Sequence, residues 1–138
     1  MAKIESRNEG TCRILIVDDD DYVAEFFGAF LQDGEYSVQV AVDFEGGWKA
    51  VQRGDYDVLF LDVQLPGADG LEILGEARRA VDRGKVVVMT GEISRGLRER
   101  AASLGINRCL AKPFDLEEIW EIVRLARVNS QKGPDAVR

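Results

Sequence analysis

Cysteine is scarce in this 138-residue chain: Cys12 and Cys109 are the only two. That usage fits a reducing compartment and argues against a disulfide-stapled secreted domain. No apolar run approaches the roughly 20 residues needed to span a bilayer. The opening Met1-Ala2-Lys3-Ile4-Glu5-Ser6 lacks the charged-then-apolar pattern of a signal peptide. A cytoplasmic protein is expected, away from membranes. Basic charge is also short, with 18 Lys and Arg against 25 Asp and Glu and a net charge of −7. Direct nucleic-acid binding is therefore not expected, because that affinity comes mostly from cations neutralising phosphates. Internal repeats and low-complexity segments are lacking. What remains is ordinary for one globular domain: 46% hydrophobic and 31% charged residues, long enough to bury a core without metal or disulfide staples.

Short apolar runs alternate with longer segments of helical period. Arg13-Ile14-Leu15-Ile16-Val17, Val58-Leu59-Phe60-Leu61 and Val86-Val87-Val88-Met89 read as strands buried on both faces. Tyr36-Ser37-Val38-Gln39-Val40-Ala41 alternates, as an edge strand with one wet face does, and Arg108-Cys109-Leu110-Ala111 is a short fifth strand. Helices are expected over 21–33, 44–53, 70–83, 95–104 and 115–128. Gly34, Gly54, Gly84 and Gly105 follow helical segments where a left-handed cap suits glycine. Asp69 with Glu72, and Asp115 with Glu118, have capping-box spacing. Five strand–helix repeats give an α/β fold, a doubly wound parallel sheet with helices on both faces. Residues 1–12 and 129–138 read as loose termini around a domain at 13–128. Cys12 and Cys109 fall at strands that are not neighbours, about 4.8 Å apart per strand, too far for a disulfide; two free thiols are expected.

In open α/β sheets, ligands bind beyond the carboxyl ends of the strands. After the first strand come Asp18, Asp19, Asp20 and Asp21, and after the third comes Asp62; the fourth ends at Thr90 and the fifth at Lys112-Pro113. Several negative charges in one cleft need a compensating cation or proton. Carboxylate oxygens are hard ligands suited to Mg²⁺. With an ammonium from Lys112 and a hydroxyl from Thr90, the set could neutralise a phosphoryl group in transfer, and Asp62 is the natural nucleophile. An aspartate run is more often a solvated face. That reading is accepted for Asp20 and Asp21, with Asp21 as cap of the first helix, and rejected for Asp18 and Asp19, which follow a buried strand.

Four fragments carry a family resemblance: Ile14-Leu15-Ile16-Val17-Asp18-Asp19; Asp57-Val58-Leu59-Phe60-Leu61-Asp62 with Leu65-Pro66-Gly67-Ala68-Asp69-Gly70; Val88-Met89-Thr90-Gly91; and Leu110-Ala111-Lys112-Pro113-Phe114. In this order they resemble the receiver domain of two-component response regulators, over most of the chain. The resemblance implies a flavodoxin-like (βα)5 fold with strand order 2-1-3-4-5. It implies a phosphoacceptor switch rather than an enzyme, in which Asp62 takes phosphate from a phosphohistidine on a sensor histidine kinase or phosphotransfer protein. Asp19, Asp62 and the backbone carbonyl of Gln64 would ligate Mg²⁺, with Asp18 acting through water. Lys112 would pair with the phosphoryl oxygens, and Thr90 would swing in to hydrogen-bond them. Gln64 and Glu92 hold the variable positions that tune aspartyl-phosphate lifetime, and the Lys112–Pro113 peptide would be cis. One departure stands out: the family places an aromatic three residues before the lysine, where this chain has Cys109.

Rival readings fail on particular residues. A phosphatase of the haloacid-dehalogenase kind needs a second acid two residues after its nucleophile, and Gln64 cannot do acid–base work. A flavodoxin-like nucleotide carrier needs Gly, Ser or Thr after the first strand, where four aspartates would repel phosphate. A longer transcription factor would need more chain than the short tail after residue 128, so a stand-alone or excised receiver is expected. Trp48 and Phe44 read as core. On the last helix, Leu116, Ile119, Trp120 and Val123 form one apolar stripe for the sheet. Ile122 and Leu125 fall off it, and with the fourth helix would dock an output partner or a second copy.

Overall fold

The computed structural model describes residues 11–32, 34–76 and 81–132. In chain order the elements are β1 (Cys12–Val17), α1 (Asp21–Gly28) continued by a 3-10 turn (Ala29–Gln32), β2 (Tyr36–Ala41), α2 (Phe44–Arg53), β3 (Val58–Asp62), a two-residue ribbon (Gln64–Leu65 with Ala68–Asp69), α3 (Glu72–Glu76), a 3-10 turn (Arg83–Lys85), β4 (Val86–Thr90), α4 (Arg95–Ser103), β5 (Arg108–Ala111) and α5 (Leu116–Lys132). The five long strands form one parallel sheet in the order β2-β1-β3-β4-β5, the flavodoxin-like arrangement expected. No helix of the described residues is long and apolar enough to cross a membrane.

Burial explains why continuous apolar runs became the inner strands. Every residue of β3 and β4 is buried, and so is every residue of β1 except Arg13. Side chains alternate between the two faces of a strand, so each run feeds two cores. Leu15, Val17, Leu59, Leu61, Val86 and Val88 pack with Ala50 and Val51 of α2, Ile73 and Leu74 of α3, and Ala101 of α4. Ile14, Ile16, Val58, Phe60, Val87 and Met89 pack with Val23 and Phe27 of α1 and Ile119 and Val123 of α5. Phe27 and Phe60 meet with ring centroids 4.9 Å apart. Truncating either would cost about 3–5 kcal/mol. β2 lies at the edge and is only partly buried, as its alternation requires.

Several local expectations change. Asp20, not Asp21, caps α1: its side chain accepts from the Tyr22 N–H, and Asp21 is the first helical residue. In a run of four aspartates, sequence spacing leaves the helix start ambiguous by one residue. α1 ends at Gly28, short of the expected 33, and tightens into the 3-10 turn. α3 ends its described part at Glu76; residues 77–80 of the expected helix lie outside the described residues, and Arg83 belongs to a separate 3-10 turn. Gly54 and Gly105 take the left-handed conformation, with φ 73° and 83°, whereas Gly34 and Gly84 do not. Asp115 and Glu118 form one half of their box, the Asp115 N–H donating to the Glu118 carboxylate at 3.1 Å, while the Glu118 N–H donates to the Asp115 carbonyl at 3.1 Å. Asp69 accepts from the Leu71 N–H at 2.9 Å, but Glu72 turns to Arg100 instead.

The stripe on α5 is also rotated from the expected one. Ile119 and Val123 are fully buried and Ile122 packs against the same core, while Leu116 and Trp120 are 43% and 38% exposed. Trp120 instead sits edge-on to Tyr36 of β2, 5.7 Å between centroids. Phe44 and Trp48 are half-buried against the core. Cys12 lies within β1 and is fully buried, and α5 runs on to Lys132. β1 thus begins one residue before the 13–128 span and α5 runs four residues past it; residues 1–10 and 133–138 lie outside the described residues. Both cysteines are free.

Candidate functional site

β1 lies between β2 and β3, so α1 leads one way along the sheet and α2 crosses back. The crevice beyond these carboxyl ends is where α/β sheets bind ligands. Asp18 follows β1 and Asp62 ends β3, both at this crevice. Asp18 is 1% exposed and Asp62 4%, while Asp19 is exposed. One oxygen from each of Asp18, Asp19 and Asp62 lies within 4.8 Å of the others. Lys112, from the end of β5, crosses to this cluster: its Nζ is 2.7 Å from Asp18 Oδ2 and 3.2 Å from Asp62 Oδ2. The Lys112 N–H also donates to the Thr90 carbonyl at 2.8 Å, and the Lys112–Pro113 peptide is cis.

Asp18 and Asp62 have distinct roles in the packing. Asp18 Oδ1 accepts from the Asp20 N–H at 2.9 Å, which shapes the loop into α1. Asp62 Oδ1 accepts from the Gln64 N–H at 3.0 Å, leaving Oδ2 to Lys112. Burial pushes the Asp62 carboxyl above its ordinary range and the charge of Asp18 adds to this; the Gln64 N–H and Lys112 only partly offset the rise. Burial also pulls the Lys112 ammonium down, but its bonds and charges to Asp18 and Asp62 outweigh that and hold it charged. The Thr90 hydroxyl, 5% exposed as a residue, is tied to its own loop: it donates to the Glu92 carbonyl at 3.1 Å and accepts from the Glu92 N–H at 3.2 Å. Gln64 and Glu92 are exposed at the rim.

Three carboxylates against one ammonium leave a net double negative charge among oxygen donors. That donor set fits a hard divalent cation such as Mg²⁺. Beside it a mostly apolar cavity of about 190 Å³ opens between the start of α1 and the loop after β5, lined by Asp20, Tyr22, Val23, Phe26, Lys112, Pro113 and Phe114.

Sequence reading missed a second ring around this centre. The ribbon after β3 folds back on Asp62, and Arg100 of α4 pairs with Asp69 on the ribbon and lies 3.6 Å from Glu72 of α3. Nothing marks Arg100 in the sequence, because a lone arginine on a polar helix face reads as solvated.

The chain's likenesses agree with this fold. The family profile described as the response regulator receiver domain matches residues 14–124. The response regulator MprA of Mycobacterium sp. (strain KMS) is 35% identical over 126 residues, 90% of this chain and 55% of its own length. The transcriptional regulatory protein DltR of Streptococcus agalactiae is 32% identical over 113 residues, 82% of this chain and 50% of its own. A crystal structure of a CheY-like receiver domain protein from Methanospirillum hungatei superposes with a TM-score of 0.76 at 24% identity, covering 88% of this chain and 98% of that one. The chain belongs to the response regulator receiver family of two-component signal transduction. It spans about half the length of these curated relatives.

Proposed function

We propose that Asp62 is the phosphoacceptor of a phosphorelay switch, loaded by a sensor histidine kinase or a phosphotransfer protein in a Mg²⁺-dependent reaction. The observation that carries this reading is the pairing of a buried, charge-crowded carboxylate with Lys112 at 3.2 Å. An Asp62 oxygen attacks phosphorus, the bond from phosphorus to the donor nitrogen breaks, and an acyl phosphate forms. Lys112 and the Thr90 hydroxyl meet the equatorial oxygens, where charge is spread during transfer. To do so, Thr90 leaves its bonds to Glu92. Asp19, Asp62 and the Gln64 carbonyl would hold Mg²⁺ directly, while Asp18, occupied by Lys112 and the Asp20 N–H, would act through water. The bound ion would neutralise phosphoryl charge. Gln64 and Glu92, exposed beside the acceptor, set how readily water reaches the acyl phosphate.

This is a switch and not a turnover enzyme, since Gln64 stands where a phosphatase would need an acid. Phosphorylation shifts a pre-existing equilibrium of the α4–β5–α5 face, which binds an output partner or a second copy of the chain. Leu125, 43% exposed there, is one contact. The cell compartment is the cytoplasm, and neither membrane nor nucleic acid is contacted directly.

Intact mass after incubation with acetyl phosphate and Mg²⁺ tests the reading. The wild type gains one phosphoryl group only with Mg²⁺, and Asp62→Asn gains none. Uptake by Asp62→Asn, or sustained hydrolysis of phosphate esters by the wild type, would overturn it.

A further inference from the structure

Arg100 reaches from α4 across to the ribbon behind the acceptor. Asp69 is its register partner to Gln64, whose N–H donates to Asp62 Oδ1 at 3.0 Å. Asp69 Oδ1 is occupied by the Leu71 N–H at 2.9 Å, so Oδ2 is the atom that meets Arg100. The next residue, Gly70, donates its N–H to the Val63 carbonyl at 2.7 Å. A Cβ at position 70 would collide with the Asp62 carbonyl oxygen, and that oxygen is backbone, which cannot swing aside as a side chain would. The ribbon thus packs directly against Asp62, so that a shift of Asp69 would reach the acceptor through Gly70 and Gln64. On the other side, α4 is anchored in the core by Ala101, the residue next to Arg100, which is fully buried.

We infer that Arg100 is a positioning residue for Asp62, its ion pairs with Asp69 and Glu72 fixing the ribbon whose Gln64 N–H aims the acceptor carboxylate. The link rests on Asp62 being the phosphoacceptor, and it couples the place of α4 to the reactivity of the site. Arg100 and Asp69 are 41% and 36% exposed at their side chains. Pairs this open contribute little to global stability, so the effect belongs in rate rather than in folding.

The test compares Arg100→Ala, Asp69→Asn and the double variant with Arg95→Ala, which breaks an exposed pair to Glu99 on the same helix without touching the ribbon. Phosphoryl uptake from acetyl phosphate with Mg²⁺ is timed by intact mass, and the Gln64 amide is followed by ¹⁵N–¹H correlation without donor. Each single variant should slow uptake by about two- to five-fold and shift the Gln64 amide, with the denaturation midpoint unchanged. The double variant should be no slower than the slower single one, Arg100→Lys should recover most of the rate, and Arg95→Ala should match wild type. Wild-type uptake with an unmoved Gln64 amide in Arg100→Ala, or multiplying effects in the double variant, would overturn the link. A wild-type chain that takes up no phosphoryl group would remove the acceptor reading itself, and this inference with it.

Discussion

The two ends of the sheet solve the same problem, a buried aspartate, in opposite ways. At the amino end, Asp57 stands just before β3 and is 8% exposed. Arg13 of β1 meets it with three donors: its backbone N–H at 2.8 Å, Nε at 3.1 Å and Nη2 at 3.1 Å. Burial alone would raise the Asp57 carboxyl, but these bonds outweigh it and hold the group below its ordinary range. At the carboxyl end, Asp62 shares one lysine with Asp18 and lies beside Asp19, and its carboxyl is raised. One cation joined to one anion by three hydrogen bonds makes a closed structural pair. One cation among three anions makes a site that still wants a positive charge, and perturbation of this kind marks functional positions.

Breaking each end should therefore have different consequences. The largest effect is expected at the carboxyl end, where Lys112→Met should slow phosphoryl uptake from acetyl phosphate by about a hundredfold, as loss of a charged stabiliser does, with the fold intact by circular dichroism. At the amino end, Asp57→Asn should leave uptake near wild type and lower unfolding free energy by about 2 kcal/mol. That lies below the usual cost of breaking a buried pair because Arg13 is partly solvated; urea denaturation measures it.

The same pair sets a pH dependence. Asp57 has a lowered folded pKa, so its stabilisation is present above its unfolded value, about 3.9, and is lost as pH falls through the folded one. Acid titration of stability below about pH 4 should flatten in Asp57→Asn. Unchanged acid sensitivity would assign that limb to other carboxylates.

Smaller effects sharpen the contrast. At ten times its Kd, Mg²⁺ should stabilise the wild type by about 1.4 kcal/mol and leave Asp19→Asn nearly unaffected, a difference read from melting curves. Without Mg²⁺, Asp62→Asn should stabilise the chain by about 1 kcal/mol, because it removes a buried charge that is incompletely matched. Destabilisation instead would mean that the Lys112 contact outweighs the crowding.

Much of this was legible in the sequence because burial on both faces leaves a plain trace. Val58-Leu59-Phe60-Leu61 and Val86-Val87-Val88-Met89 lie within β3 and β4, each of which runs one residue further, to Asp62 and Thr90. Those last residues and Lys112 were locatable for the same reason: a strand ends where its apolar run ends. Helix termini were harder. Four consecutive aspartates offer two caps of equal chemistry, and only the geometry of the Tyr22 N–H selects Asp20. The orientation of α5 is not legible there, because helical spacing defines a stripe but not which part of it meets the sheet; Trp120 packs on Tyr36 of an edge strand instead.

The sequence by itself determined the fold class, the body of each strand and the set of acids, hydroxyl and lysine at one edge, because these follow from local periodicity and strand order. Only the tertiary structure decided which partners those groups take. Lys112 lies 50 residues from Asp62, and its choice of both Asp18 and Asp62 depends on the spacing of three strands. The Arg13–Asp57 fork, 44 residues apart, and the reach of Arg100 to the ribbon likewise arise from packing. Charged side chains carry no periodic signal of their own, so their pairing exists only once the core has set the distances between them.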